Sequence, residues 1–283
     1  MKKSFKRYLS MALAGILAAI MLMSVPVAAK TKVTVTNKFK SYIYSDNSKK
    51  YKLDYQWEDS YNKKGVRTKH NWTSYNQETG KADSRTTTTF KYDKKGNILQ
   101  AVSKEGKKYT TKEVYKYNKK GQTTRCTSYV WQNGKWKQVG YDSYKTTKTK
   151  QIITQYNGKK KVGKRVLTLN KRGQTTSMKT YDQKGKLDFS IKYQYDKKGN
   201  QIRYEMTYKT PDGTRKSVST MKYDKYGNLI KQTYKDASYS ETTTYKYSNF
   251  YKGNKRYPQT AILKRDGKNV LKERRSYKVV NIK

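Results

Sequence analysis

The clearest pattern along the chain is a period of two. Leu187, Phe189, Ile191, Tyr193 and Tyr195 fall on one parity, and Asp188, Ser190, Lys192 and Gln194 on the other. Such alternation marks a strand with one covered face. The next run repeats it, with Ile202, Tyr204, Met206 and Tyr208 set against Arg203, Glu205, Thr207 and Lys209. A third runs through Tyr239, Glu241, Thr243, Tyr245 and Tyr247, where Glu241 breaks the apolar parity. No comparable helical period follows the first 29 residues.

One phrase separates many of these runs. Tyr-Asp-Lys-Lys-Gly-Asn stands at 92–97 and again at 195–200, with variants at 61–65, 117–121, 169–173, 181–185 and 223–228. Asp suits the first position of a type I turn, where its carboxylate accepts a backbone N–H. Gly then takes a left-handed conformation and closes a hairpin with a bulge. This assigns turn-making roles to Asp93, Gly96, Gly121, Gly173, Asp182, Gly185, Asp196, Gly199, Asp224 and Gly227, with Asn118 and Asn170 in the Asp slot. It also removes those aspartates from the metal candidates, because no stretch has the ligand spacing of a calcium loop. Tighter turns are expected at Asn133-Gly134, Asn157-Gly158, Asp212-Gly213 and Asp266-Gly267, and glycine-free ones near 145–148 and 235–238.

Short connections join antiparallel neighbours. The expected fold is therefore all-β: an antiparallel β-hairpin repeat meander of roughly sixteen strands, forming one elongated, twisted or spiralling sheet. A single repeat domain spans 30–283. Residues 30–52 are more weakly patterned, as a first hairpin or a frayed start, and Pro258 ends a strand or lies on an edge.

The first 29 residues stand apart. Lys2, Lys3, Lys6 and Arg7 precede an uncharged apolar run over 9–25, and Val27-Ala28-Ala29 follows. This is the grammar of a secretory signal peptide (1–29), a helix cleaved near Ala29. The product is then secreted or loosely cell-wall-associated, with no transmembrane span in the mature chain. Removing the leader's four basic residues leaves 62 basic and 20 acidic side chains, a formal +42. Solubility needs a charge of only about 2–8, so the excess points to an extended shape or an anionic partner. Leu, Ile, Val and Phe are sparse, and 29 tyrosines with four tryptophans nearly double the stock of large apolar side chains. The lone Cys126 rules out an internal disulfide framework and reads as a small buried side chain.

Catalytic constellations are missing. The sequence has one histidine, His70, and no Cys-x-x-Cys, Gly-x-Ser-x-Gly, Walker or His-Glu-x-x-His phrase. Glu58 and Asp59 are adjacent, so on a strand they face opposite ways. No enzyme, metal or cofactor is implied. What remains is a surface. Lys94, Lys95, Lys119, Lys120, Lys159, Lys160, Lys161, Lys197 and Lys198 cluster at the turns and are the candidate polyanion-binding residues. Candidate partners are an anionic cell-surface polymer or glycan (teichoic acid, anionic glycan or extracellular DNA) and anionic lipid headgroups; intracellular nucleic acid is not expected. One alternative is a neutral glycan or choline reader using Trp131, Trp136 and Tyr129. Another is a structural spacer or protein-interaction scaffold.

Tyr-Asp-x-x-Gly followed by a polar and then an aliphatic residue resembles the YD repeat of Rhs-like proteins. Residues 92–99 and 223–230 match best. The resemblance implies hairpins wound into a spiralling sheet, with carbohydrate or polyanion binding. Asn97, Asn200 and Asn228 stand where that consensus often has Arg. Large members carry many more repeats and a C-terminal toxin or adhesion module, so a closed, cargo-holding shell is not expected here, and the sheet is flat, spiralled or half-closed. Trp131 and Trp136, flanking Asn133-Gly134, are also similar to Tyr/Trp/Gly hairpin repeats that bind cell-wall choline or glycans.

Overall fold

The structure is a computed structural model, and it describes residues 31–282 apart from Lys64 and Asp212. The expected signal peptide, its cleavage point and Asp212 of the Asp212-Gly213 turn lie outside the described residues.

The strands follow one another in chain order. They are β1 (Thr31–Ser45), β2 (Lys50–Tyr61), β3 (Arg67–Tyr75), β4 (Ala82–Tyr92), β5 (Ile98–Glu105) and β6 (Lys108–Tyr117). Then come β7 (Thr123–Gln132), β8 (Lys135–Thr146), β9 (Lys150–Asn157), β10 (Lys160–Leu169), β11 (Thr175–Asp182) and β12 (Leu187–Tyr195). The last six are β13 (Gln201–Thr210), β14 (Gly213–Tyr223), β15 (Leu229–Asp236), β16 (Ser240–Phe250), β17 (Pro258–Arg265) and β18 (Lys268–Ile282). Each pairs antiparallel with its sequence neighbours. β1 pairs with β2 on one side and with β18 on the other, from Thr31↔Ile282 to Ile43↔Leu271.

That last ladder closes the sheet. The molecule is an eighteen-stranded antiparallel barrel, which overturns the expected open, elongated or spiralling sheet. The all-β class and the sequential hairpins stand. Two causes explain the closure. An open meander leaves two edges of unpaired backbone groups, and full closure removes them. The sheet also carries built-in curvature. Fourteen of the eighteen ladders contain a register shift, and bulges bend and twist the strand that holds them. The weakly patterned 30–52 stretch is the first hairpin, and its turn needs no glycine because Lys49 takes φ 51°. That turn lifts the strand number above roughly sixteen. Glycine-free turns close at Thr147–Lys150 and Asp236–Tyr239, near the expected places. Pro258 opens β17.

The seven repeated phrases adopt one turn. In each, the N–H of the Asp or Asn donates to the carbonyl four residues on, and the glycine N–H donates back to the carbonyl of that Asp or Asn. At Asp93 the carboxylate also accepts from the N–H of Lys95 and of Asn97 (2.8 Å each) and from the Asn97 amide (2.7 Å). Asp196–Asn200 and Asp224–Asn228 repeat this pairing. In two of the turns with Asn in the Asp slot, Gln replaces the following Asn: Asn118 donates to Gln122 and Asn170 to Gln174. Gly96 sits at φ 86° and Gly199 at φ 92°, a region that L side chains rarely occupy.

Six of these turns follow even-numbered strands and share one rim, here the even rim; the turn at Asp182 lies on the odd rim. The tyrosine near the end of an even strand ties the even rim together. Tyr92, Tyr117, Tyr195, Tyr223, Tyr247 and Tyr277 each donate their hydroxyl to the carbonyl of the first residue of the preceding strand. The acceptors are Arg67, Ile98, Thr175, Gln201, Leu229 and Pro258. The first five latches each join one even-rim turn to the one before it, and Tyr277 ties the last strand to the turn before β17.

Register divides the strands into two faces. Ala101, Cys126, Ile153, Leu167, Ile191, Ala261 and Leu263 are buried on one face, with Ser41, Asp59, Ser217 and Ser219. Side chains converge on the concave side of a curved sheet, so this covered face is the inner one. Barrels of this strand number enclose a lumen too wide for side chains to fill. Accordingly, the largest side chains under 2% exposed are the serines Ser217 and Ser219.

Two substitutions test the turn and the latch. Gly96→Ala meets no atom within 4 Å, so its cost is conformational, about 1–2 kcal/mol. Tyr195→Phe removes one hydroxyl bond and is expected to cost about 0.5–1.5 kcal/mol. Urea unfolding of both variants measures these values.

Candidate functional site

The nine candidate lysines are all exposed, but they do not form one cluster. Lys94, Lys95, Lys119, Lys120, Lys197 and Lys198 crown the even rim; Lys159, Lys160 and Lys161 sit on the odd rim. Successive even-rim turns are two strands apart, about 9.5 Å. Two equivalent shallow grooves open between such turns. Lys94, Lys95, Leu99 and Lys116 line one, and Lys197, Lys198, Ile202 and Lys222 the other.

Turn lysines are only part of the basic surface. Mid-strand cations occupy the outer face: Lys179, Lys192, Lys216, Lys222, Lys231 and Lys246 alternate with the inner tyrosines and aliphatics. Several face like charges directly across a ladder. Lys222 lies opposite Lys231, Lys116 opposite Arg125, and Lys40 opposite Arg274. Direct like-charge pairs are destabilising. The signal for this wall was present in the sequence as the polar parity of each strand, but a parity has no outside until the sheet closes.

The inner face holds acids, each with a partner. Asp59 Oδ1 lies 2.7 Å from His70 Nδ1, and its Oδ2 lies 3.5 Å from Arg67. Asp142 meets Arg165 at 3.8 Å, Glu241 meets Arg265 at 3.2 Å, and Glu273 meets Arg275 at 2.6 Å. Tyr115 donates to Glu113 at 2.6 Å. Glu241, the break in the apolar parity, is thus an inner ion-pair member. His70 is a strand residue paired to Asp59, and Glu58 turns outward to Lys38 at 3.0 Å. The pairs differ from the outer wall in environment. Burial raises the Tyr193 phenol to about 12, with Tyr195 and Tyr204 adding to it. Burial also raises Asp142, more than Arg165 lowers it.

The turn aspartates behave oppositely. Burial opposes charge on Asp93, but the Asn97 side chain and the backbone N–H groups of Asn97 and Lys95 outweigh it and hold its carboxyl below the usual range. Asp224 follows the same balance with Asn228 and Tyr226. Asp196 is held low chiefly by the Asn200 amide. Among the described residues no group of three or more His, Cys, Asp or Glu is placed to hold a metal ion.

Trp131 and Trp136 pair across β7 and β8, on the outer face beside the odd rim. Tyr129 shares that face. Tyr109, Lys104 and Lys112 join them, and sequence reading missed these three because they come from β5 and β6. Cys126 is buried on the inner face, where burial and the Glu113 carboxylate push its thiol up to about 12.

No family model matches the chain, and a search of curated proteins returns no match. Solved structures give loose likenesses. A porin-like protein from Bacteroides uniformis aligns at 14% identity and a TM-score of 0.47, covering 86% of this chain and 98% of that one. A porin-like protein from Bacteroides vulgatus aligns at 10% identity and 0.36, covering 86% and 99%. The Tc holotoxin pore of Photorhabdus luminescens aligns at 12% identity and 0.32, covering 79% of this chain but 13% of that one. The likeness to toxin-complex components is weak and partial, and no residue roles transfer from any of these.

Two outcomes are expected from the site's chemistry. Cys126 resists iodoacetamide at pH 8 in the folded protein and reacts once urea unfolds it; mass spectrometry reads both. Asp93, Asp196 and Asp224 stabilise the fold while ionised, above the unfolded carboxyl value of about 3.9. That contribution is lost as pH falls through their depressed folded values. The urea midpoint is therefore expected to drop below pH 4. Asn at 93, 196 and 224 with Gln at 97, 200 and 228 copies the Asn118–Gln122 pairing and flattens the drop.

Proposed function

We propose that this chain is a non-enzymatic, extracellular repeat protein that binds anionic polymers such as teichoic acid, anionic glycans or extracellular DNA at the cell surface. The observation that carries this reading is the segregation of charge. Cations cover the outer face and both rims, while the inner carboxylates are already matched by Arg, His or Tyr. Cross-strand pairs such as Lys222 opposite Lys231 cost stability in the free protein. A bound polyanion relieves that repulsion and releases its own counterions. The leader and the YD-like phrases support the same placement, secreted or loosely held on the wall and related in style to Rhs-like repeats.

A lipid-spanning role fits less well. Membrane barrels wear an outward apolar band about 25 Å tall, whereas this outer face carries mid-strand Lys179, Lys192 and Lys222.

Titration of the secreted form with teichoic acid and with heparin across salt tests the proposal. Affinity is expected to fall steeply as salt rises, and Lys222→Gln/Lys231→Gln to reduce the slope while raising unfolding stability by about 0.2–1 kcal/mol. No binding at low ionic strength contradicts it.

A further inference from the structure

The outer-wall aromatic cluster beside the odd rim is more than packing. Trp131 and Trp136 lie 5.0 Å apart at 71°. Tyr109 sits 5.3 Å from Trp131 at 48° and 5.7 Å from Trp136 at 69°. Trp136 meets both Trp131 and Tyr109 edge to face, Tyr109 is tilted against Trp131, and Tyr109 is 39% exposed. Two ammonium groups are set among them. Lys104 Nζ is 4.0 Å from the Tyr109 centroid, and Lys112 Nζ lies 4.5 Å from that of Tyr129 and 4.9 Å from that of Trp136.

From this geometry we infer a binding subsite for an acidic polysaccharide, one whose pyranose rings carry carboxylates. The inference deepens the polyanion reading above and rests on it. A pyranose has a flat C–H face that seats on an aromatic ring, and its carboxylate then lies within reach of Lys104 or Lys112. The rings and the cations sit within one ligand unit of each other, which lysine-only turns do not offer. Alternative ligands fit worse. A quaternary ammonium would meet the like charges of both Lys104 and Lys112 over the rings it needs. A neutral glycan leaves the two cations unused.

Binding of three polymers to the intact protein tests the subsite: polygalacturonate, dextran as a neutral ring polymer, and polyphosphate as charge without rings. Polygalacturonate and polyphosphate are expected to bind at low salt and dextran not to bind. Tyr109→Ala and Trp136→Ala are each expected to weaken polygalacturonate about three- to tenfold and leave polyphosphate unchanged. Tyr109 is exposed, so its variant decides the matter if Trp136→Ala fails to fold. Unchanged polygalacturonate affinity in Tyr109→Ala, or equal loss for both polyanions, overturns the subsite. Dextran binding as tight as polygalacturonate also overturns it. Failure of every polyanion to bind overturns the polyanion reading itself.

Discussion

The ladder between β1 and β18 is the constraint on which the rest depends. It pairs the first strand with the last over twelve register positions, from Thr31↔Ile282 to Ile43↔Leu271. Without it, the two parities of each strand are equivalent faces of a wet sheet. With it, one parity becomes a crowded inner wall and the other a basic exterior. The chain's large formal charge then has a destination, since diverging side chains on a convex surface keep lysines apart better than a flat sheet does.

Stability in such a barrel comes mainly from backbone pairing and from local devices. The apolar stock is small, and the inner wall is thin. Tyrosine suits this economy. Its ring covers the inner face, and near the even rim its hydroxyl satisfies the carbonyl that starts the neighbouring strand, as in Tyr195 to Thr175. The acids are used the same way. Those in turns hold backbone amides, and those on the inner wall hold Arg, His or Tyr. Few are left to neutralise the lysines outside, so the exterior remains uncompensated.

Much of this architecture was legible from the residues. Parity located the strands, and Asp-Lys-Lys-Gly-Asn located its turns down to the left-handed glycine. Closure was not legible. Thr68, Leu99 and Ile202 are bulges that each fall three residues after the glycine of a repeated phrase, so their places follow from the turn, but pairing of Phe39 with Arg275 depends on curvature summed around the whole sheet, which no single bulge announces. The candidate site was half legible for a related reason. Turn lysines announce themselves, but Lys192 and Lys222 become a wall only when the sheet has an outside. Trp131 and Trp136 flank one turn and so were visible together, whereas Lys112 and Tyr109 reach them across strands.

Closure is tested most directly by cross-linking the chain's first and last strands. Lys40 and Arg274 are directly paired on the outer face, and paired residues have Cβ atoms about 4.5–5.5 Å apart, near disulfide reach. Lys40→Cys with Arg274→Cys, in a Cys126→Ser background, is expected to oxidise to a disulfide within a single chain. Non-reducing peptide mapping of the monomer would show the two segments joined. Free thiols under the same oxidation, or disulfides found only between chains, would contradict a closed barrel.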